Sequence, residues 1–276
     1  MRVDLHLHTR FSDGTLTVPE LLAKVEENGI THFSITDHDS LGAYERLWGD
    51  DGQTGAVPGS LKLFAGIEIN TGASHEMHHI LGFGSKMLAD KTLRAKLKGY
   101  REARLKRNEM IVGKLNALGI EIDYAAIVKR VGEAIGRPLI ADEMVAKGVV
   151  ANRKEAFMRY LAEDKAAYVP SLGPKPKEAI EAIAAAGGIP VVAHPGEAHL
   201  TQADIAKMMD WGLRGVEAYH PLHDEAKTRE YCSIARRLGL FITCGSDYHG
   251  PGSGYDQFFH YELGAADFDD FFARIS

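Results

Sequence analysis

Apolar and polar residues alternate at the start of the chain, in a pattern typical of a half-buried strand. In residues 2–9 the apolar side chains occupy positions 3, 5 and 7, whereas Asp4, His6 and His8 occupy the positions between them. Successive side chains on a strand point to opposite faces, so we expect one shared apolar layer and one polar face. Two imidazoles on that face can be aimed at one metal ion, with Asp4 accepting a hydrogen bond that holds a tautomer. The alternative is a strand with an ordinary polar face.

Short apolar segments recur along most of the chain and alternate with helical patterns. The predicted strands after the first are 32–36, 61–70, 79–83, 189–193, 215–219 and 240–245. Helices are predicted from Thr17, through Tyr44 to Trp48, and over 177–186, 202–211, 224–238 and 267–275. Six or seven parallel strands alternating with helices predict an α/β barrel of the TIM type or a distorted relative. The glycine-rich segment 50–60 predicts a surface loop.

The middle of the chain departs from this alternation, because residues 89–165 carry helical spacing and no clear strand. We interpret 89–167 as an inserted helical subdomain between the two parts of a barrel domain, 1–88 and 168–276. One helix of the insert carries Arg101, Arg104 and Asn108 at offsets of three and four, which can place them on one face. A solvated helix face is the alternative interpretation of this stripe.

Acidic and imidazole side chains stand near the ends of nearly every predicted strand. In barrels of this type the carboxyl ends of the strands meet at one face, where the chemistry takes place. A mixture of imidazoles and carboxylates suits Mn²⁺, Fe²⁺ or Zn²⁺ better than Ca²⁺, and nine ligands suffice for two or three ions. Mn²⁺ is the ion we expect first. The strand-end set consists of His6, His8, His38, Glu68, His79, His194, His220, Asp247 and His249, with Asp13 in the loop after the first strand.

Composition narrows the range of partners. The formal net charge of −6 argues against a protein that binds nucleic acid by bulk electrostatics, although it allows a local basic pocket. No apolar run approaches the roughly 20 residues that span a bilayer, and the chain enters its first strand without a signal peptide. The 2 cysteines follow no metal or redox spacing. We therefore expect a cytoplasmic protein that has no membrane contact and no obligate protein partner.

Several short motifs resemble the motif series of the PHP (polymerase and histidinol phosphatase) superfamily. They are His6-Leu7-His8-Thr9, Thr36-Asp37-His38, Gly66-Ile67-Glu68, His79-Ile80-Leu81-Gly82, Ala193-His194-Pro195 and Gly245-Ser246-Asp247-Tyr248-His249. The resemblance implies a distorted barrel of seven β/α units with three metal ions. It assigns one ion to His6, His8, Glu68 and Asp247, a second to Glu68, His79 and His194, and a third to Asp13, His38 and His249.

Chain length, the position of the insert and the segment around His194 are similar to bacterial 3′,5′-nucleoside bisphosphate phosphatases, a group also described as 5′→3′ exoribonucleases on short RNA. The resemblance implies metal-dependent hydrolysis of a nucleotide phosphate. On this interpretation we expect Asp247 in the catalytic site and His199, shortly after the His194 strand end, as a proton donor. The substrate residues that we expect are Asp13, His38, Arg101, Arg104, Asn108 and Arg137, since the planar guanidinium group binds phosphate. The sequence departs from the pattern at Leu139, where a histidine is expected. Alternatives are a histidinol-phosphate phosphatase, a proofreading-type exonuclease module and a non-catalytic metal-stabilised binding domain.

Overall fold

Eight strands form one sheet in the computed structural model, which describes residues 1–48, 57, 61–72, 78–131, 136–259, 261–262 and 265–275. The strands are β1 (Arg2–Leu7), β2 (His32–Ile35), β3 (Lys62–Asn70), β4 (His79–Phe83), β5 (Ile189–Val192), β6 (Gly215–Tyr219), β7 (Phe241–Cys244) and β8 (Tyr261–Glu262). Their spatial order is β7-β6-β5-β4-β3-β2-β1-β8. Apart from residue 57, the predicted loop 50–60 lies outside the described residues.

The sheet curls until its first and seventh strands meet. Leu7 forms a parallel bridge with Tyr248, just beyond β7, and the amide of His8 donates to the carbonyl of Tyr248 at 2.9 Å. β8 pairs antiparallel with β1. The result is a nearly closed barrel of seven strands, which confirms the predicted fold class and brings the end of β1 next to the segment that follows β7.

β4 runs antiparallel to both of its neighbours, β3 and β5, so the barrel has six parallel strands and one reversed strand. Only residues 71–78 separate β3 from β4, which is shorter than the dozen or more residues that a parallel crossover needs. His79 therefore stands at the amino end of its strand. Because the strand is reversed, that end lies at the same rim as the carboxyl ends of β3 and β5.

The apolar residues of β1 do not form the single layer that was predicted. Val3, Leu5 and Leu7 are all fully buried, but Val3 and Leu5 belong to a cluster that includes the C-terminal helix, whereas Leu7 belongs to the larger cluster against the other helices. The register of β1 against β2 shifts between Asp4 and Leu7, as in a β-bulge. A bulge interrupts the strict alternation on which the prediction rests.

Ten helices of the described chain surround or extend this barrel. They are α1 (Val18–Glu27), α2 (Gly42–Trp48), α3 (Lys91–Ala117), α4 (Tyr124–Val131), α5 (Arg137–Ala146), α6 (Arg153–Ala156), α7 (Pro176–Ala185), α8 (Gln202–Met209), α9 (Glu225–Leu238) and α10 (Ala265–Ile275). A short 3₁₀ helix (Ser85–Ala89) precedes α3, and a π-helical turn (Phe157–Leu161) follows α6. No helix within the described ranges is both long enough and apolar enough to cross a bilayer.

The helices from α3 to the π turn have a hydrophobic cluster of their own, which includes Ile111, Leu115 and Met144. The 27-residue α3 takes part in both cores, because Leu93 and Leu97 near its start belong to the barrel cluster. The stretch from residue 101 to 108 lies between these two anchors. This stretch is the part of α3 that faces the rim of the barrel.

Candidate active site

The predicted ligand side chains converge at the rim where β1 and β3 end and β4 begins. Three groups of side chains could each hold a metal ion, because within each group the potential ligand atoms lie within 4.8 Å of one another. The groups are His6, His8, Glu68 and Asp247; His8, Asp13, His38 and His249; and His38, Glu68 and His79. The folding of the chain thus brings together side chains from residues 6 to 249 around one space.

Glu68 occupies the centre of this cluster and is fully buried. Its Oε2 lies 2.9 Å from His38 Nδ1 and 3.2 Å from His6 Nε2. Its Oε1 lies 2.9 Å from His79 Nδ1 and 3.3 Å from His194 Nε2. Burial by itself would raise the pKa of Glu68, but the imidazoles of His38, His6 and His79 hold that pKa well below its usual value. Both oxygens of one carboxylate are thus available for sharing between two metal ions.

Two aspartates complete the cluster. Asp247 Oδ1 lies 3.2 Å from His6 Nε2 and 3.1 Å from His8 Nε2. Asp13 Oδ1 lies 3.2 Å from His249 Nε2, on the side of the cluster next to the loop after β1. Burial opposes ionisation of both carboxyls, yet the neighbouring imidazoles hold the pKa of each well below its usual value. Both side chains therefore offer charged oxygens at neutral pH.

Hydrogen bonds on the outer side of the imidazoles set their tautomers. A carbonyl or carboxylate oxygen can only accept, so a ring Nδ1 that bonds to one must carry the proton. The Nε2 lone pair then faces the cluster and is free to bind a metal ion. Three pairs show this arrangement: His6 Nδ1 with Glu217 Oε1 at 2.9 Å, His194 Nδ1 with Glu197 Oε2 at 3.0 Å, and His249 Nδ1 with the Asp247 carbonyl at 2.7 Å.

The prediction that Asp4 holds a histidine tautomer is wrong. The carboxylate of Asp4 accepts from the amide of Ser246 at 2.9 Å and from its hydroxyl at 2.6 Å, so it joins β1 to the segment after β7. Burial raises the pKa of Asp4 to about 7, against the effect of these hydrogen bonds. The acceptor for His6 is Glu217 on β6, which the sequence analysis missed. Its signal was available, since Glu217, like Glu68, is a carboxylate inside an apolar strand.

The buried polar atoms of the cluster that lack hydrogen bonds indicate that it binds metal. Burying a polar atom without a partner costs roughly 1–3 kcal/mol, so native structures contain few of them. Five atoms that face neighbouring ligand atoms but make no hydrogen bond of acceptable geometry within the described residues occur together here: His6 Nε2, His8 Nε2, Asp13 Oδ1, His38 Nδ1 and Glu68 Oε2. All five belong to the groups that could hold an ion. Imidazole nitrogens and carboxylate oxygens in this mixture fit Mn²⁺, Fe²⁺ or Zn²⁺.

A cavity of about 210 Å³ opens beside the cluster. Its lining includes Asp13, His38 and His79 of the cluster, together with side chains from the helical segment. The charged and amide side chains of that segment in the lining are Arg104, Arg107, Arg137 and Asn108. The cavity therefore combines ligand side chains with fixed positive charge.

Arg107 is the arginine that the sequence analysis did not choose. Its Nε donates to the carbonyl of Val169 at 2.9 Å, while its Nη2 is buried and has no hydrogen-bond partner among the residues that the structure describes. Burial, with repulsion from Arg137 and Arg104, lowers the pKa of Arg107 to about 10. The guanidinium remains charged at neutral pH. An anion in the cavity would supply the missing acceptor.

Arg101 and Arg104 both contact Asp39, which is buried in the loop after β2. The guanidinium of Arg104 pairs with the Asp39 carboxylate, and Arg101 Nη1 donates to the Asp39 carbonyl at 2.6 Å. Arg104 also lines the cavity, whereas Arg101 does not. Leu139, the position of the expected histidine, packs against the hydrophobic cluster of the helical segment.

His199 is the predicted residue that the structure leaves apart from the others. It is exposed, in a turn after β5, with a positive φ of 52°. Within the described residues its side chain makes no hydrogen bond, ion pair or ring contact. Its role as a proton donor stays a prediction.

Gly245, just after β7, is expected to tolerate no side chain. A Cβ at this position would lie 2.1 Å from His6 Cβ and 2.7 Å from Glu217 Oε1. We expect Gly245→Ala to displace both residues, to destabilise the fold by about 1–3 kcal/mol through overpacking and to weaken metal binding. Thermal unfolding and elemental analysis measure these effects. Gly113→Ala is the control, because a Cβ there meets nothing within 4 Å; a Gly245→Ala protein that unfolds and binds metal like this control would contradict the expectation.

Comparison with known proteins agrees with this geometry. A 3′,5′-nucleoside bisphosphate phosphatase from Chromobacterium violaceum is 30% identical over 258 residues, which cover 91% of this chain and 88% of that protein. A 5′-3′ exoribonuclease from Haemophilus influenzae is 30% identical over 91% of this chain and 90% of its own. The solved structure of a metal-dependent phosphoesterase from Bifidobacterium adolescentis superimposes with a TM-score of 0.84 at 28% identity, covering 99% of this chain and 96% of that one.

The model of the PHP domain family matches residues 4–130, which include the cluster side chains from His6 to His79. The matched segment ends before His194, Asp247 and His249, which the fold brings to the same cluster. Relatives, fold and ligand set agree on a metal-dependent phosphoesterase, and the chain belongs to the PHP domain family.

Proposed function

We propose that this phosphoesterase removes the 3′-phosphate of nucleoside 3′,5′-bisphosphates, with short RNA as a second substrate. The observation that carries the proposal is the buried, unpartnered Nη2 of Arg107 in the same cavity as three side chains of the metal cluster. A substrate with two phosphates can place one against the metal cluster and the other against the guanidinium groups. A substrate with a single phosphate leaves one of these sites unused.

The metal cluster acts on the phosphate that is cleaved. We propose that the side chains named above hold two or three divalent ions, with Mn²⁺ as the first choice. When bound, such ions lower the pKa of a water molecule and neutralise the phosphoryl oxygens. The protein contributes a charged, pre-oriented ligand set: Asp247 faces His6 and His8, while Asp13 and His38 stand at the cavity wall, where they also reach the substrate.

The helical insert, which we propose spans 89–167 and caps the barrel, binds the second phosphate. Arginine suits this role because its planar guanidinium bonds to two phosphate oxygens at once. Arg107 and Arg137 line the cavity, with Asn108 beside them, and Arg104 is fixed by Asp39. These side chains hold the substrate and do not take part in activating water.

The choice of these two substrates is supported by the names of the relatives. The C. violaceum protein is named a 3′,5′-nucleoside bisphosphate phosphatase, and the H. influenzae protein a 5′-3′ exoribonuclease. Both substrates present a second phosphate close to the one that is cleaved. Guanidinium groups in the same cavity as the cluster side chains fit this common feature.

A phosphate-release assay with Mn²⁺ tests the proposal. We expect adenosine 3′,5′-bisphosphate to be hydrolysed with a kcat/KM at least tenfold above that for the 3′-monophosphate, which keeps the cleaved group but lacks the second phosphate, because one charge-assisted hydrogen bond contributes about 1.5–3 kcal/mol. The product should keep its 5′-phosphate. Histidinol phosphate is the comparison substrate: if it is hydrolysed efficiently and the bisphosphate is not, the proposed substrate is wrong, although the metal chemistry stands.

A further inference from the structure

We infer that β6 orients the metal ligands of its neighbouring strands and supplies none itself. Two of its side chains carry this role: Glu217, inside the strand, and His220, immediately after it. Glu217 positions His6 and His194, and His220 is a hydrogen-bond donor to Asp247. The inference rests on the metal centre of the proposed function and not on the choice of substrate.

Glu217 joins a ligand on β1 to a ligand after β5. It is fully buried, its Oε1 accepts from His6 Nδ1 at 2.9 Å, and its Oε2 accepts from the amide of His194 at 2.8 Å. The first bond fixes the tautomer that leaves His6 Nε2 facing Glu68 and Asp247. The second bond fixes a backbone with a φ of 26°, which side-chain-bearing residues rarely adopt. One carboxylate therefore sets the ring of one ligand and the main chain of another.

His220 carries the opposite tautomer from His6, His194 and His249. The amide of Leu222 donates to His220 Nδ1 at 3.2 Å, so this nitrogen is an acceptor and the proton of the neutral ring is on Nε2. A protonated nitrogen has no lone pair for a metal ion. His220 is thus set apart from His6, His194 and His249, although its ring lies among theirs, with centroids 6.3 Å from His6 and 5.2 Å from His194.

The Nε2–H of His220 points at the metal cluster. It is buried, has no hydrogen-bond partner in the described part of the chain and lies 3.8 Å from Asp247 Oδ2. This oxygen is on the outer side of the carboxylate, since Oδ1 faces His6 and His8. A buried donor without an acceptor is unfavourable, so a slight turn of the carboxylate toward His220 is favoured. A hydrogen bond to Oδ2 keeps Oδ1 aimed at the ions.

Glu217→Gln tests the first half of the inference. The amide keeps the shape of the side chain but accepts through one oxygen only, so it cannot serve both donors. We expect Mn²⁺ to bind 10- to 100-fold more weakly, the effect typical of groups that orient ligands. The metal-free protein should stay folded but unfold at a somewhat lower temperature than the wild type, because one buried donor is left without its acceptor. Calorimetric titration with Mn²⁺, at a temperature where the metal-free variant is folded, and thermal unfolding measure the two quantities. Wild-type Mn²⁺ affinity would overturn the assignment.

His220→Gln and His220→Leu test the second half. Glutamine can place an N–H near the position of Nε2, so we expect near wild-type Mn²⁺ affinity; leucine removes the donor and should weaken binding severalfold without changing the number of ions bound. Elemental analysis counts the ions. If His220 is a metal ligand instead, both variants lose ions, and the inference fails.

His223→Gln is the matched control for both halves. His223 belongs to the same segment, but its ring bonds to the carbonyl of Ala218 and the amide of Gly196, away from the ligand carboxylates. Its Mn²⁺ affinity should match the wild type. These measurements need no substrate, so a failure of the bisphosphate assay leaves their interpretation intact.

Discussion

Asp247→Asn is expected to abolish hydrolysis while the protein stays folded. The substitution keeps the shape of the side chain but replaces a charged oxygen that faces His6 and His8 at 3.2 and 3.1 Å. A metal site stabilises the charge of a transition state by several kcal/mol, and about 1.4 kcal/mol corresponds to tenfold. We therefore expect kcat/KM with Mn²⁺ to fall on the order of 1000-fold or more. The metal-free protein should stay folded but lose some stability, because the imidazoles of His6 and His249 favour the ionised carboxylate in the native state.

Three measurements decide this prediction: kcat/KM, bound metal by elemental analysis, and thermal unfolding of the metal-free protein. Asp270→Asn is the control, since Asp270 is exposed on α10 and pairs only with Arg274 within the described residues. A chelator should make the wild-type enzyme as inactive as Asp247→Asn. Added Mn²⁺ should then restore the activity of the wild type but not that of the variant. An Asp247→Asn enzyme that is active, or a wild type that is active without metal, would refute the assigned site.

Arg107→Ala is expected to lower activity on the bisphosphate selectively. Within the described residues the buried Nη2 of Arg107 has no hydrogen-bond partner, and the bond that the variant loses inside the protein is the one from Nε to the carbonyl of Val169. One charge-assisted hydrogen bond to a phosphate contributes about 1.5–3 kcal/mol, which predicts a 10- to 100-fold loss in kcat/KM. An aryl phosphate has no second phosphate, so its hydrolysis should change less than about threefold. Measuring both substrates with the same enzyme preparation tests the difference.

Two neighbouring arginines provide the comparison. Arg101 does not line the cavity, so Arg101→Ala should affect both substrates equally and weakly. Arg104→Ala leaves the buried carboxylate of Asp39 without its ion pair, and we expect lower stability together with reduced activity on both substrates. If Arg107→Ala also affects both substrates equally, Arg107 acts on the reacting phosphate or on folding, and the second-phosphate site is wrong.

The sequence indicates which arginine-bearing helix faces the site but not which of its side chains does so. A helix turns by about 100° per residue, which places Arg101 and Arg107 about 60° on either side of Arg104. The choice between these two depends on how α3 is rotated against the barrel. That rotation is set by the packing of Leu93 and Ile111 in two separate cores, and no local pattern contains it.

The barrel was more predictable than the hydrogen bonds around it. Strand ends carrying His, Asp or Glu could be read from short motifs, because parallel strands deliver their ends to one rim. The acceptor for the His6 ring could not be predicted from the sequence, since Asp4 and Glu217 are both carboxylates on apolar strands. The bulge in β1 and the contacts with Ser246 decide between them, and these depend on how the barrel closes.

Because α3 is anchored in two separate cores, the side chains that could hold metal ions and those that could bind substrate lie in different parts of the chain. Selection can therefore change metal binding and substrate binding independently. The ligand side chains of the cluster belong to the barrel strands and their loops, whereas the guanidinium groups of the cavity belong to the helical segment. Under the proposed function, substitutions in that segment redirect the enzyme to new phosphorylated compounds and leave the metal ligands in place. Divergence within such a lineage should therefore concentrate on the segment from α3 to the π turn, while the ligand set of the barrel is inherited unchanged.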